Sequence, residues 1–466
     1  VSHDLLVIGG GAAGLAAVRT AVARGARPLL VTDGPPGGDC TFTGCVPSKT
    51  LIEAAERGEG FDSAVRRMRD AVARIAAGED EAALAAEGVD VLRGRAVFRS
   101  PGEVEVEGRV VSAERVVIAT GSEPLIPPVP GLDGLDHLTN ETVFDLAEPP
   151  RSLVVLGGGP IGCELAQAFA RFGADVTVVE AGERLLSHED PEASRVVADR
   201  FTAEGVAVRT GAAVARARPV PGGSRLEFDT GASVVADRVL VAVGRSPVTA
   251  GLGLDAAGVA TDEHGAIRTD PRMATTSRRG SYAAGDVTGR PAFTHAADAM
   301  GRIAAANALR RGRGRARFDD AEVPRVTFTS PEVAQVGLTE AEAARTHSDA
   351  RVAYLPMSEV DRAVTAGRTD GFVKIIAVRR TWTGNLGGGR VLGATIVGER
   401  AGELVHEIAL ALRIGMFTGR LAQTMHAYPT HAIAVQQAAA QFFGGYGGRR
   451  ARTVRAPGDP DTGTDR

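Results

Sequence analysis

Cys40 and Cys45, separated by four residues, stand in the run Gly37-Gly38-Asp39-Cys40-Thr41-Phe42-Thr43-Gly44-Cys45-Val46-Pro47-Ser48-Lys49, and Cys163 is the one other cysteine in a chain of 466 residues. Two thiols this close can alternate between disulfide and dithiol, so the spacing points to a redox pair. Pro47 suits the first position of a helix, because its missing N–H would be unsatisfied there and its φ is already helical. Cys45 then lies just before that helix, where unpaired backbone N–H groups and the dipole favour an anion. A thiol held there ionises more readily, and the thiolate is the reactive form.

A structural disulfide is the competing reading of the pair. Disulfides are rare in cytosolic proteins, and the expected location is the cytoplasm. The first strand begins almost at once with no basic, apolar-cored leader, and no apolar stretch reaches the ~20 residues of a membrane span. Among the basic residues only Lys49 and Lys374 are lysines; the rest are arginine. A position that needed positive charge alone would be arginine in such a chain. Lys49, four residues after Cys45, therefore marks a need for a compact ammonium. Cys163, beside Gly162, reads as a small buried hydrophobe.

The elements that must position these groups are written on either side of them. At roughly 150 residues per domain, the length implies about three domains. The formal charge of −4 argues against a nucleic-acid partner, which calls for a clustered basic surface. Asp4-Leu5-Leu6-Val7-Ile8 is a short buried strand leading into Gly9-Gly10-Gly11-Ala12-Ala13-Gly14 and a helical run over 15–24. A second copy follows Ser152-Leu153-Val154-Val155-Leu156 as Gly157-Gly158-Gly159-Pro160-Ile161-Gly162, entering a helix over 163–172. One such glycine motif is a weak signal; two, each between strand and helix, are strong. Gly9, Gly11 and Gly14, like Gly157, Gly159 and Gly162, serve the tight turn, the approach of a pyrophosphate and helix–strand packing. The helix N-terminus supplies donors to the phosphates.

An acidic residue about 20 positions after the glycines should hold the adenosine ribose. In the second copy Glu180 ends a strand, eighteen positions after Gly162. A carboxylate pairs with a ribose 2′-OH and repels a 2′-phosphate, so NADH is expected over NADPH. In the first copy the same offset falls on Thr32, and Asp33 serves only if the strand end is shifted by one residue. Two dinucleotide sites flanking a cysteine pair imply electron flow from a nicotinamide through a flavin to sulfur, with the chemistry carried by the cofactors.

With these motifs the chain resembles the class I pyridine nucleotide–disulfide oxidoreductases, the family of glutathione reductase, dihydrolipoamide dehydrogenase and mercuric reductase. The resemblance extends from residue 3 to about 445. It includes Ala119-Thr120-Gly121-Ser122, Val243-Gly244-Arg245-Ser246-Pro247, Tyr282-Ala283-Ala284-Gly285-Asp286-Val287 and the stretch Thr329-Ser330-Pro331-Glu332-Val333-Ala334-Gln335-Val336-Gly337-Leu338-Thr339-Glu340. It implies an α/β fold of two Rossmann-like domains, with an α+β C-terminal dimerisation domain. FAD would be held by residues 1–148 and 248–321, the nicotinamide nucleotide by 149–247, and a homodimer interface with a composite active site formed by 322–445. The tail, 446–466, lacks apolar periodicity and is expected to be disordered.

In family terms Cys45 is the sulfur nearest the flavin, a thiolate after reduction, and Cys40 is the outer thiol that attacks the substrate. Lys49 would approach the flavin and pair with Glu164. The resemblance further assigns cofactor contacts to Gly38, Ala119, Thr120, Gly121, Pro160, Ile161, Gly244, Asp286, Thr294 and Ala296. No metal site is expected.

The departure that matters is near the C-terminus. Disulfide reductases of this family carry a His-Pro-Thr segment with a glutamate five residues after the histidine, a general base oriented by a carboxylate. Here the segment reads His426-Ala427-Tyr428-Pro429-Thr430-His431-Ala432-Ile433. Tyr428 replaces the histidine and Ile433 the glutamate; a phenol titrates near ~10 and isoleucine not at all. Rapid turnover of a standard disulfide is therefore not expected. Tyr at this position resembles soluble transhydrogenases, which lack the cysteine pair, and also mercuric-reductase-like proteins, although true mercuric reductases carry a second cysteine pair near the C-terminus that this sequence does not show. His426 or His431 could substitute as the base, His431 from the first turn of a helix beginning at Pro429. The preferred reading is an NADH-dependent flavoprotein reductase passing electrons to a small-molecule acceptor such as a metal ion, a quinone or another small electrophile. Dihydrolipoamide dehydrogenase is the second reading, and a non-catalytic redox-sensing flavoprotein the third.

Overall fold

A computed structural model of the chain describes residues 3–310, 315–379 and 386–455. The chain divides into two compact units. One comprises Val1–Pro127, Leu138–Glu148 and Val243–Asp320; the other comprises Pro128–His137, Pro149–Ala242 and Ala321–Arg466.

The first unit is built on a five-stranded parallel sheet in the order Ser281–Ala283, Val116–Ile118, Leu5–Ile8, Pro28–Thr32, Asp90–Arg93. Its central strands read as unbroken apolar runs because both faces of the sheet are covered, one by helices and the other by a small antiparallel sheet. Leu5–Ile8 is buried at every position. The helix Ala12–Ala23 follows it and packs closely on the helix Thr294–Ala308. Gly301 makes that approach possible, since a Cβ there would strike the backbone of Ala13. Leu6, Ile8, Val31, Ile118 and Ala283 join Phe98, Val104 and Val106 from a small antiparallel sheet in one core.

The second unit repeats the pattern in a four-stranded parallel sheet, Ala207–Arg209, Asp175–Val179, Ser152–Leu156, Arg238–Val241. It also carries a six-stranded antiparallel sheet in the order Arg325–Thr327, Glu332–Gly337, Arg390–Gly398, Phe372–Val378, Arg351–Pro356, Arg452–Thr453. The helices Ala401–Arg413 and Ile433–Ala440 supply Val405, Ile408, Val435 and Ala438 to the core against this sheet. The fold is thus α/β with two Rossmann-like sheets and an α+β C-terminal part, as the sequence implies.

The tail is shorter than expected. Residues 446–455 are described and ordered: Arg452 and Thr453 pair with Val352 and Arg351, Val454 is buried, and Arg452 forms an ion pair with Glu340. The composition of the segment hides this, because a single edge-strand pairing and one buried valine leave no periodic signal. Residues 456–466 lie outside the described residues. Among the described residues, no helix is long and apolar enough to cross a membrane.

Candidate active site

Both glycine motifs form the same device. Gly9 and Gly157 sit at φ +108 and +106, open to glycine and strained for other residues. A Cβ on Gly14 would land on the carbonyl of Gly9, and one on Gly162 on that of Gly157. Gly11 and Gly159 face open space at the starts of Ala12–Ala23 and Pro160–Arg171, where no side chain caps the exposed N–H groups. An uncapped helix N-terminus beside a bare glycine is what a pyrophosphate requires, so the residues at both motifs fit a dinucleotide. The helices begin a few residues earlier than periodicity indicated, with Pro160 and Ile161 in the first turn of the second, because proline is favoured at the first helical position.

The strand ends differ between the two copies. Ile8 pairs with Val31 and Leu156 with Val179, so the registers are identical and the one-residue shift that Asp33 required does not occur. Thr32 stands where Glu180 stands, packed on Gly10 as Glu180 is packed on Gly158, and Asp33 is exposed just beyond the strand. Glu180 accepts the N–H of Gly158 at 2.7 Å and of Gly182 at 2.6 Å. This holds a carboxylate at the tip of the second motif.

Cys40 lies in the short helix Gly38–Phe42, and Cys45 opens the helix Cys45–Glu56. That helix starts two residues earlier than Pro47 indicated, so Cys45 is inside its first turn rather than before it. Gly44 precedes it without a side-chain cap, leaving first-turn N–H groups directed toward the cysteine. The neighbouring Cys45 thiol, burial, and the charge of Cys45 and Glu79 push the Cys40 thiol far up, against an opposing influence of Thr294. The pair therefore holds at most one negative charge near neutral pH. Thr294 Oγ1, at the start of its helix, lies 3.2 Å from Cys45 Sγ, with Ala296 buried behind it.

Ala119 donates to Ile8 beside Gly9, Thr120 Oγ1 donates to Val248, and Gly121 takes a positive φ. Asp286 accepts the Ser122 hydroxyl at 2.6 Å. Gly38, also at positive φ, lies against Gly11. Gly244 occupies φ +146, and its carbonyl accepts from Leu125. Lys49 sits on the helix that carries Cys45 in the first unit. Glu164 is buried in the second unit, where it accepts the N–H of Phe328 at 2.9 Å. Cys163 is fully buried and donates to the Gly158 carbonyl, its thiol pushed up by burial and by Glu164 and Glu180, which bears out its reading as a structural residue.

In the C-terminal segment Tyr428 is exposed and its hydroxyl donates to Asp361 at 2.9 Å; that hydrogen bond and the charge of Asp361 raise the phenol further. His431 is nine-tenths buried, with Nε2 3.4 Å from Glu399. Neither ring nitrogen has a hydrogen-bond partner among the described residues. Burial lowers its proton affinity, helped by Arg362 and Arg400 and opposed by Glu399. Helix Ile433–Ala440 begins after His431, not at Pro429. His426 contacts the Thr424 carbonyl with Nδ1 and Glu407 with Nε2, 2.9 and 3.1 Å away. Both of its nitrogens thus face acceptors, which leaves no lone pair directed at a substrate. Asn140, Arg245 and Glu79, which surround the cysteine turn, were not singled out from sequence; Arg245 appears there only as a motif letter.

Two dinucleotide motifs, a paired-thiol turn and a C-terminal antiparallel sheet define the class of a two-nucleotide disulfide oxidoreductase, and comparison with known proteins agrees. The family model described as pyridine nucleotide-disulphide oxidoreductase matches residues 3–301, and that of the same family's dimerisation domain matches residues 323–439. The mercuric reductase of Streptomyces lividans is 38% identical, covering 94% of this chain and 96% of its own length. The dihydrolipoyl dehydrogenase of Thermus scotoductus is 36% identical, covering 94% of this chain and 97% of its own length. Among solved structures, the Cu(II) complex of the HOCl-induced flavoprotein disulfide reductase RclA from Escherichia coli superposes with a TM-score of 0.86 at 29% identity, covering 94% of this chain and 99% of that one. The chain belongs to the pyridine nucleotide–disulfide oxidoreductase family, and it is an FAD-dependent enzyme.

Proposed function

We propose that this enzyme uses NADH to reduce the Cys40–Cys45 disulfide and passes the electrons to an acceptor that needs little proton shuttling, such as a metal ion, a quinone or another small electrophile. The observation that carries the choice of acceptor is the C-terminal segment. Tyr428 is a donor held by Asp361, and no histidine–glutamate base stands at its position. When bound, FAD supplies two-electron transfer between the nicotinamide and the disulfide.

This chain's residues supply the rest. Residues 1–148 and 248–321 would hold FAD through Gly9, Gly11, Gly14 and Asp286; residues 149–247 would hold NADH through Gly157, Gly159, Gly162 and Glu180. The carboxylate of Glu180 favours a free 2′-OH over a 2′-phosphate. Lys49 would place an ammonium near the flavin. In net terms, NADH and one proton convert the disulfide to two thiols. The dithiol returns to the disulfide by giving two electrons to the acceptor and releasing two protons. Residues 322–445 pair two copies, so that Tyr428 and His431 of one copy serve the cysteines of the other.

The relatives support this reading in kind: one is a mercuric reductase and one solved structure is a Cu(II) complex. The 36% identity to a dihydrolipoyl dehydrogenase favours the second reading, turnover of a dithiol such as dihydrolipoamide. Anaerobic titration with NADH and with NADPH, followed by a panel of disulfides, quinones and metal ions, separates the two. The expected result is reduction of flavin and disulfide by NADH at lower concentration than NADPH, with metal ions or quinones turned over faster than lipoamide. Lipoamide as the fastest acceptor by a wide margin would overturn the proposal.

A further inference from the structure

The turn that carries Cys40 has little to hold it in place by itself. Gly37 and Gly38 enter it at φ 116 and 60, the helix is only Gly38–Phe42, and no side chain caps its start. Three alternate residues of the turn are instead tied from outside. Thr41 Oγ1 donates to Glu79 at 2.8 Å. The Thr43 carbonyl accepts from Asn140 Nδ2 at 3.3 Å. Asp39 forms an ion pair with Arg245.

Arg245 governs two of these three ties. Its Nη2 reaches Asp39, and its Nη1 donates to Asn140 Oδ1 at 3.1 Å, orienting the amide that holds Thr43. The guanidinium is fixed in turn by Ser122, donating from Nε to Oγ at 2.7 Å and from Nη2 to the carbonyl at 2.6 Å. Ser122 Oγ then donates to Asp286. Four hydrogen bonds donated from one rigid fork are needed for this arrangement, and only arginine can supply them. The side chain is 18% exposed, so the contacts compete weakly with water. All of these residues belong to the first unit.

We propose that Arg245 is the positioning residue of the outer thiol: through Asp39 and Asn140 it holds the 39–43 turn so that Cys40 stays beside Cys45, and it takes its own position from Ser122 and Asp286. This rests on the reading of Cys40 and Cys45 as the working redox pair. The neighbouring Cys45 and burial together hold the Cys40 thiol above its ordinary value. A loosened turn separates the sulfurs, frees Cys40 to ionise nearer the ordinary thiol value, and makes the disulfide harder to close.

The test uses the FAD-loaded enzyme reduced with dithiothreitol without oxygen, as wild type, Asp39→Ala, Arg245→Met and the double variant. Iodoacetamide labelling of Cys40 and Cys45 is followed separately by peptide mass spectrometry across neutral to alkaline pH. The midpoint of the pair is read by equilibration with dithiothreitol couples. Each single variant is expected to raise Cys40 labelling near neutral pH about tenfold, the effect of one unit in thiol pKa. Each is expected to move the pair toward oxidising potential by about 30 mV, a tenfold change in the two-electron equilibrium. The double variant should do no more than Arg245→Met alone, because Arg245 makes the Asp39 contact as well as the one to Asn140.

Cys40 labelling and midpoint in Asp39→Ala within about twofold of wild type would overturn the proposal, and so would additive effects in the double variant. Asp39 is half exposed on a helix where alanine is favoured, so this variant keeps the fold if Arg245→Met does not. Failure of the underlying redox reading shows separately, as a wild-type disulfide that NADH leaves unreduced.

Discussion

Thr32 and Glu180 occupy equivalent positions at the ends of two strands in identical register, yet only one is a carboxylate. In a dinucleotide site that residue accepts from the adenosine ribose, and a hydrogen bond to a charged acceptor is worth about 1.5–3 kcal/mol. Thr32→Glu is therefore expected to tighten FAD binding about tenfold, measured by reconstitution of apoprotein followed by flavin fluorescence; unchanged affinity would show that the ribose is held elsewhere. His431 gives a second prediction. Its proton affinity is lowered by burial, so below the usual histidine value near ~6.5 the unfolded chain binds more protons than the folded one. Stability from this group is present above that value and is lost as pH falls toward the depressed folded one. His431→Gln should flatten the acid side of a stability–pH profile between about pH 7 and pH 5. An unchanged slope would mean the ring is not buried in solution. The cysteine pair and the glycines were legible in the sequence because each is a residue type whose chemistry or backbone freedom is rarely replaceable. Thr32 was legible as an offset, but the register that decides between Thr32 and Asp33 is a property of two paired strands.

At the level of elements, the side chains that hold short or exposed pieces come from far along the chain, which is why sequence patterns pass over them. Arg245 reaches Asp39 across 206 positions. Lys374 is the same case in the second unit. It is 1% exposed on the strand Phe372–Val378, with Asp190, Glu192 and Glu340 at 3.5, 2.8 and 3.0 Å from its Nζ. Burial alone would strip its proton, but the three carboxylates together raise its proton affinity. A compact ammonium with three donors can address three carboxylates from one point, and a planar guanidinium cannot. The argument from lysine rarity thus applies to both lysines of the chain. The cluster ties Pro191–Ala203, preceded by Asp190, to the six-stranded sheet, and through Glu340 to Arg452 of the last strand. Lys374→Met leaves the buried carboxylates of Asp190 and Glu340 without its ammonium, with Arg452 reaching only Glu340, and is expected to cost about 3–5 kcal/mol, seen as a lower urea midpoint of the second unit's transition. Lys374→Arg should recover only part of that loss, and full recovery would show that charge alone matters.

For the whole molecule, the exposed apolar surface offers the proposed second copy a place to bind. Leu410 and Ile414, one turn apart at the end of Ala401–Arg413, are 58% and 60% exposed, and Met425 is 94% exposed. Ile414 also lines an open groove with Phe417, Arg420 and Thr424, next to Met425. Exposed apolar side chains grouped along one stretch of chain are candidates for an interaction surface, and these lie in the part matched by the dimerisation-domain model. The proposed composite site makes the consequence specific, because Cys40 and Cys45 must be reduced within one chain while Tyr428 and His431 act from the other. Leu410→Glu with Ile414→Glu places two carboxylates in the patch and should give single chains of 48.1 kDa by sedimentation. In those chains NADH should still reduce the disulfide, while turnover of the acceptor falls by at least about tenfold, the scale of a lost proton-transfer or orienting group. The two halves of the reaction then separate by assembly state alone. A variant that stays paired would place the interface elsewhere, and single chains with full turnover would show that each site is complete within one copy.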